Sequence, residues 1–221
     1  MSVWAILVAA GRGERLGSDQ PKAFARLGEL PLLAEPLRRL DDSEWVDAIV
    51  VVAPPGWEEP SILLAEEIGA AKVRAVVPGG ETRAASVRAG LAEVPDDAAV
   101  VLVHDAARPL LTDEVIERVL APLGEGWDGA IPGLAVSDTV KRVGVDGGVV
   151  ETVARDGLWA VQTPQAFPAS TLRRAVASGA DATDCAGLVE AGGGRVKVVA
   201  GDPLLLKITT ADDLARVASL L

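Results

Sequence analysis

Short apolar runs, almost unbroken by polar residues, alternate along this chain with segments of helical period. The runs are Val3–Ala9, Ala48–Ala53, Val73–Val77, Val100–Val103 and Gly129–Pro132. A strand that lacks in-and-out alternation must be covered on both faces. Between the runs lie Leu32–Leu40, Glu58–Ile68, Arg83–Glu93 and Asp113–Ala121, which are expected to be helices. This order predicts an α/β fold: a Rossmann-like, mostly parallel twisted sheet flanked by helices, with right-handed crossovers.

The alternation breaks after Pro132. Across residues 136–161, Val143, Val145, Val149 and Val153 interleave with polar residues around the turn former Asp146-Gly147-Gly148. That pattern predicts a β-hairpin arm. Such an arm has too little core to stand alone, so it packs either on a second subunit, making a homodimer, or back on its own sheet. Helices are expected to start near Pro168 and near Thr183-Asp184, with a strand at Arg195–Val199. Thr210-Ala211-Asp212-Asp213 has the form of a capping box opening a final helix that runs to Leu220. With no repeat and no low-complexity linker, residues 1–221 are expected to form one domain, its arm at about 136–161.

Composition narrows the partners. With 21 basic and 32 acidic residues the net charge is -11, which argues against a nucleic-acid surface but permits a locally basic pocket for small anions. One cysteine, Cys185, excludes a disulfide framework, and one histidine, His104, leaves too few ligands for a zinc site. No apolar run reaches the length that spans a bilayer, and the first residues lack a basic leader. The expectation is a cytoplasmic protein with no membrane partner.

The most informative stretch runs from Val8 through Gly11, Gly13 and Arg15 to Gly17, followed by Pro21-Lys22. A loop at the carboxyl end of the first strand is where α/β sheets bind ligands. Gly11 and Gly13 let the backbone approach an anion, while Arg15 and Lys22 add positive charge. Two familiar phosphate motifs fail here. The dinucleotide fingerprint would need glycine where Leu16 stands, and no Gly-Lys-Ser/Thr triplet ends the loop.

Three other constellations stand at strand ends. In His104-Asp105-Ala106-Ala107-Arg108-Pro109, Asp105 is either a magnesium ligand or a loop cap paired with Arg108, and His104 reads as structural. Gly79-Gly80-Glu81-Thr82-Arg83-Ala84-Ala85-Ser86 either reads a base or sugar edge or is an ordinary turn and helix cap. Lys207, ending the apolar run Leu204–Leu206, either reaches a phosphate or snorkels to the surface.

Taken together, these motifs resemble the 2-C-methyl-D-erythritol 4-phosphate cytidylyltransferases. The resemblance is collinear through the Ala-Ala-Gly-x-Gly-x-Arg loop, Pro21-Lys22, Gly79-Gly80-Glu81-x-Arg83, His104–Pro109 and Asp138-Thr139-Val140-Lys141. It continues through Arg155-Asp156-Gly157-Leu158-Trp159, Thr163-Pro164-Gln165, Thr183-Asp184 and Lys207-Ile208-Thr209. The resemblance implies CMP transfer from CTP to a polyol phosphate with Mg2+ as cofactor. It implies that Ala9, Ala10, Gly11, Gly13, Gly80, Glu81, Ser86 and Ala106 bind the nucleotide. It places Arg15, Lys22 and Lys207 around the α-phosphate as catalytic cations. Asp105 would serve metal and substrate, and Arg108, Thr163 and Thr183 the substrate side. Thr139 and Arg155 would reach a neighbouring subunit's site from the arm. Related readings are a ribitol 5-phosphate cytidylyltransferase and a non-catalytic nucleotide-binding regulator. Two departures from the family pattern are Cys185-Ala186-Gly187, where Glu-Ala-Ser or similar is usual, and Glu81, where Asp is frequent.

Overall fold

The computed structural model describes residues 2–11, 20–178 and 182–221. Strands β1 (Val3–Val8), β4 (Ala48–Ala53), β5 (Val73–Pro78) and β6 (Val100–Asp105) form the parallel half of the main sheet, in the order β6-β1-β4-β5. Their apolar runs are continuous because both faces are covered, yet successive residues still alternate between two cores. Ala5, Leu7, Ile49, Val51 and Leu102 join Leu37, Leu64 and Ile116 on one face. Ile6, Val50, Val52, Val101 and Val103 join Val87, Leu172 and Leu188 on the other. Helices α1 (Ala34–Asp42), α2 (Glu58–Glu67) and α4 (Asp113–Gly124) therefore cover the first face. Helices α3 (Arg83–Ala92), α5 (Ala169–Ala177) and α6 (Cys185–Ala191) cover the second. The mostly parallel, helix-flanked sheet is the one the sequence predicts.

Helix α1 starts two residues later than its periodicity suggests. Leu32 and Leu33 are fully buried, but their backbone N–H groups bond across to Ala25 and Ala23. Those two residues belong to the preceding segment, a 3-10 turn (Lys22–Phe24) and the small hairpin of β2 (Arg26–Leu27) and β3 (Leu30–Pro31).

Beyond β6 the sheet turns mixed. Strand β7 (Gly129–Ala135) pairs antiparallel with β10 (Trp159–Val161) and β11 (Gln165–Pro168), and parallel with β12 (Val196–Ala200); β11 also pairs antiparallel with β6. The arm is thus shorter than 136–161. Among the described residues, strands β8 (Val140–Val143) and β9 (Val149–Val153) pair only with each other, whereas 159–161 returns to the main sheet. The arm's tip closes at Gly144–Gly148, where Gly147 adopts φ +81°, a left-handed conformation that suits glycine. Val143, Val145, Val149 and Val150 on this arm are exposed.

Helix α7 (Ala211–Ala218) opens with the expected capping box between Thr210 and Asp213. Among the described residues, no helix is long and apolar enough to cross a membrane.

Candidate active site

The register of the parallel strands sets the site. Val8 lies level with Val52 on β4 and with Asp105 on β6, so the loops after β1 and β6 leave the sheet side by side. Strands β4 and β5 wind away from β1 on one side while β6 lies on the other, and such a switch of direction opens a crevice at the carboxyl ends. A cavity of about 280 Å³ occupies it. One wall is Ala9, Ala10 and Gly11; a second is Gly80, Glu81 and Ser86; Asp105, Ala106, Lys22 and Lys207 complete it. Of the residues expected at the nucleotide and the α-phosphate, Gly13 and Arg15 lie outside the described residues, and all the others line this one cavity.

The nucleotide wall depends on close backbone approach. A Cβ on Gly79 would stand 2.1 Å from the Ala10 Cβ, so only glycine lets the two loops meet. Ser86 is buried, and its hydroxyl oxygen accepts the Gly80 N–H at 3.1 Å, holding the turn. Thr82 caps α3 by accepting the Ala85 N–H at 3.0 Å. The turn-and-cap reading therefore holds, and the same turn lines the cavity. A Cβ on Gly11 would meet nothing within 4 Å among the described residues, and Gly11 lines the cavity.

Asp105 is the electrostatic centre. Its Oδ1 accepts from Arg83 Nε at 3.2 Å and Nη2 at 3.1 Å, and its Oδ2 from Lys207 Nζ at 2.7 Å. Burial alone would raise the carboxyl's pKa. Arg83 and Lys207 outweigh burial and hold it well below the usual carboxylate range. Lys207 is thus partnered rather than snorkelling alone, although its side chain stays 44% exposed. Lys22 donates to the carbonyl of Ile208, the residue next to Lys207.

Arg108 does not pair with the Asp105 carboxylate, as one sequence reading had it, because Arg83 and Lys207 occupy both oxygens. Arg108 instead donates to Leu205 O at 2.6 Å and Val161 O at 3.3 Å. Its buried Nε has no hydrogen-bond partner among the described residues. It anchors the Lys207 loop and does not line the cavity.

His104 is structural. It is fully buried, and burial pushes its pKa down to about 4. Its Nε2 lies 3.0 Å from Arg108 O, which can only accept, so Nε2 carries the proton. Nδ1 then accepts from the Thr163 hydroxyl at 3.1 Å, and Thr163 Oγ1 accepts the Asp105 N–H at 3.1 Å. Thr163 therefore braces the Asp105 backbone from β11's side. Thr183 is exposed immediately ahead of Asp184, the N-cap of α6. Thr139 and Arg155 are exposed on the segments flanking the arm, Arg155 donating to Ser137 O, and neither lines this cavity.

Sequence reasoning assigned no role to Arg83 or Gln165. A signal for Arg83 was present. A cation at the first position of a helix opposes the helix dipole, so it needs an anion elsewhere, which is Asp105. Its remaining Nη1 faces Cys185 Sγ at 3.3 Å.

Could this site hold a magnesium ion? Among the described residues no group of three His, Cys, Asp or Glu side chains forms a metal cluster. Asp105 offers one ionised carboxylate whose Oδ2 accepts a single hydrogen bond among the described residues. That donor set fits an ion that takes one protein carboxylate and completes its shell from phosphates and water.

A doubly wound α/β sheet, with a glycine-lined wall and several cations around one carboxylate at its switch point, suits a phosphate-bearing ligand. Residues 3–221 match the family model described as IspD: 2-C-methyl-D-erythritol 4-phosphate cytidylyltransferase. A protein of that name from Nocardia farcinica is 47% identical over 220 residues, covering 100% of this chain and 94% of its own length. One from Saccharopolyspora erythraea is 48% identical, covering 97% of each chain. The crystal structure of the Thermus thermophilus enzyme superposes with a TM-score of 0.79 at 33% identity, covering 100% of this chain and 98% of that one. The chain belongs to the IspD family of 2-C-methyl-D-erythritol 4-phosphate cytidylyltransferases.

Proposed function

We propose that this protein transfers CMP from CTP to 2-C-methyl-D-erythritol 4-phosphate, releasing pyrophosphate and forming 4-diphosphocytidyl-2-C-methyl-D-erythritol for non-mevalonate isoprenoid synthesis. The observation that carries this reading is the convergence of Lys22, Arg83, Asp105 and Lys207 on the cavity that Gly11 also lines. Family membership supplies the two substrates.

The chemistry suits these residues. An oxygen of the polyol phosphate attacks the α-phosphorus of CTP in line. A new P–O bond forms as the bond to the β-phosphate's bridging oxygen breaks, and pyrophosphate carries off the electron pair. The attacking oxygen is already ionised, so no general base is needed, in keeping with a buried, neutral His104. The obstacle is repulsion between two anions, and catalysis reduces to positioning and charge stabilisation. Lys22 and Lys207 supply the nearby cations, with Arg15 assigned the same role by family resemblance. When phosphates arrive, Lys207 can turn from Asp105 to them, while Arg83 keeps Asp105 ionised. Asp105 would hold magnesium, which supplies charge neutralisation on the phosphates.

Ala10, Gly80, Glu81 and Ser86 face cytosine in this reading, Ala106 the ribose, and Thr163, Thr183 and Arg108 the substrate side. The exposed valines of the arm support a homodimer in which Thr139 and Arg155 complete the neighbouring site; a cytoplasmic location is the expectation that goes with the family. The ribitol 5-phosphate and regulator readings are not favoured, since the relatives share one catalytic name. Incubation with CTP, magnesium and each polyol phosphate, following pyrophosphate release, tests the assignment. Release with methylerythritol phosphate is expected, and its absence overturns the reading.

A further inference from the structure

Gln165 is a buried amide, 1% exposed, whose side-chain hydrogen bonds among the described residues all go to one place. Its Oε1 accepts the N–H groups of Cys185 at 3.1 Å and Ala186 at 3.3 Å, and its Nε2 donates to Asp184 Oδ2 at 2.7 Å. Asp184 Oδ1 in turn accepts the Gly187 N–H at 2.9 Å. The N–H groups of the first turn of α6, which have no partners within the helix, are thus satisfied jointly by its own N-cap and by a side chain from the sheet.

A helix cap alone needs only the aspartate. Burying a second polar group beside it costs free energy unless it is hydrogen-bonded, and here both ends of the amide are. What the second group adds is direction. Packing of α6 on the sheet is apolar and carries no directional bond, whereas Gln165 pins the helix's first turn to one point on β11, opposite Val103 and so two residues short of Asp105. From that turn two paths lead to the site. Thr183 immediately precedes the cap. Cys185, whose N–H is held by Gln165, places its Sγ 3.3 Å from Arg83 Nη1, and Arg83 grips Asp105 Oδ1.

We infer that Gln165 is a positioning residue for the transfer reaction, setting the first turn of α6 so that Thr183 and the Arg83–Asp105 pair meet the polyol phosphate in register. This inference rests on the cytidylyltransferase reading. It acts on the substrate side and leaves the nucleotide wall of Ala10, Gly11 and Gly80 untouched.

The test exploits an exchange of amide and carboxylate. Gln165→Glu keeps the acceptors for Cys185 and Ala186 but sets a carboxylate against Asp184. Asp184→Asn breaks the same bond from the other side. In the double variant the amide now at position 184 donates to the carboxylate now at position 165 and still accepts from Gly187, at unchanged total charge. Pyrophosphate release is measured against each substrate, and CTP binding is measured directly. The expected result is a rise of about tenfold in KM for the polyol phosphate in each single variant, with CTP affinity changed less than about twofold. The double variant is expected to return KM to within about threefold of the parent. A loss of active protein at unchanged KM, or a double variant no better than the singles, overturns the inference. Should Gln165→Glu not fold, Asp184→Asn against the double variant decides it in the same way. The parent protein is assayed first: no release there removes the cytidylyltransferase reading and this inference with it.

Discussion

Lys207 Nζ sits 2.7 Å from one oxygen of Asp105 while Arg83 grips the other, so the carboxylate stands between two cations inside the cavity. Arg83 has fixed geometry and two donors on one oxygen, whereas Lys207 is a point charge on a flexible stem. The second is the one built to leave. Removing Lys207 should therefore spare the fold and the nucleotide wall but deprive the developing charge of a cation. Lys207→Ala is expected to lower turnover by roughly 100-fold or more while CTP affinity changes only a few-fold. Lys22→Ala is expected to behave alike. Turnover equal to the parent's would remove the catalytic role of the residue concerned.

Arg83→Gln tests the other half of the pair. It removes one ion pair from a carboxylate that stays buried, leaving Lys207 as its counter-ion among the described residues. Lys207 is then less able to turn to a phosphate, so turnover should fall further than in Arg83→Lys, which keeps the charge. A drop of the same size in both variants would show that guanidinium geometry, not charge, is what matters.

These two residues also mark how far the sequence could be read. The parallel core was legible because Ala48–Ala53 and Val100–Asp105 are buried on both faces and contain little but apolar residues up to the site. Strand β11 was not, because four residues bounded by prolines and opening on a polar Gln165 carry no strand pattern; its burial comes from neighbours distant in sequence. The expected residues that line the cavity, from Ala9 and Gly80 to Asp105, converge because their loops leave the carboxyl ends of neighbouring strands, a position sequence alone reveals. The partners of Arg83 and Gln165 lie 22 and 20 residues away, and only folding brings them together. The expected Asp105–Arg108 pairing followed sequence proximity, and the fold overrode it.

His104 gives a pH prediction free of overlap, since the chain has one histidine. Its pKa falls from 6.5 to about 4 through burial. Between those values the unfolded chain binds more protons than the folded one, so stability declines as pH drops through this window. Asp105, whose folded pKa is depressed, adds a further loss below about pH 4, where the unfolded carboxyl becomes protonated. The single imidazole NMR signal should not titrate between about pH 8 and 5, and the melting temperature should fall from about pH 6.5 downward. An imidazole that titrates near its ordinary value would contradict the buried, neutral His104.

Two glycines of the nucleotide wall separate folding from binding. Gly79→Ala would drive a Cβ to 2.1 Å from Ala10, forcing the two loops apart. Overpacking of this kind costs about 1–3 kcal/mol, so a lower melting temperature and weaker CTP binding are expected together. Among the described residues, a Cβ at Gly11 meets no atom within 4 Å. The melting temperature of Gly11→Ala should match the parent's, while the new methyl obstructs a ligand phosphate and weakens CTP binding. Unchanged CTP affinity in Gly11→Ala would place the triphosphate elsewhere.

The arm offers the sharpest test of a shared site. Its valines are exposed, and Thr139 and Arg155 flank it away from the cavity of their own chain. If Arg155 serves a neighbour, Lys22→Ala and Arg155→Ala damage different subunits' contributions to one site. In a mixed dimer, one site then carries both lesions and the other carries neither. Two nearly inactive variants, mixed in equal amounts and allowed to exchange subunits, should recover about a quarter of parental activity, because half the dimers are mixed and each has one intact site. The same mixture made with Lys207→Ala and Lys22→Ala, both within one chain's cavity, should recover nothing, since every site then carries at least one lesion. Recovery in the first mixture and none in the second requires that Arg155 act across the interface; no recovery in either means that it acts within its own chain, and an Arg155→Ala variant that keeps parental activity on its own removes its role.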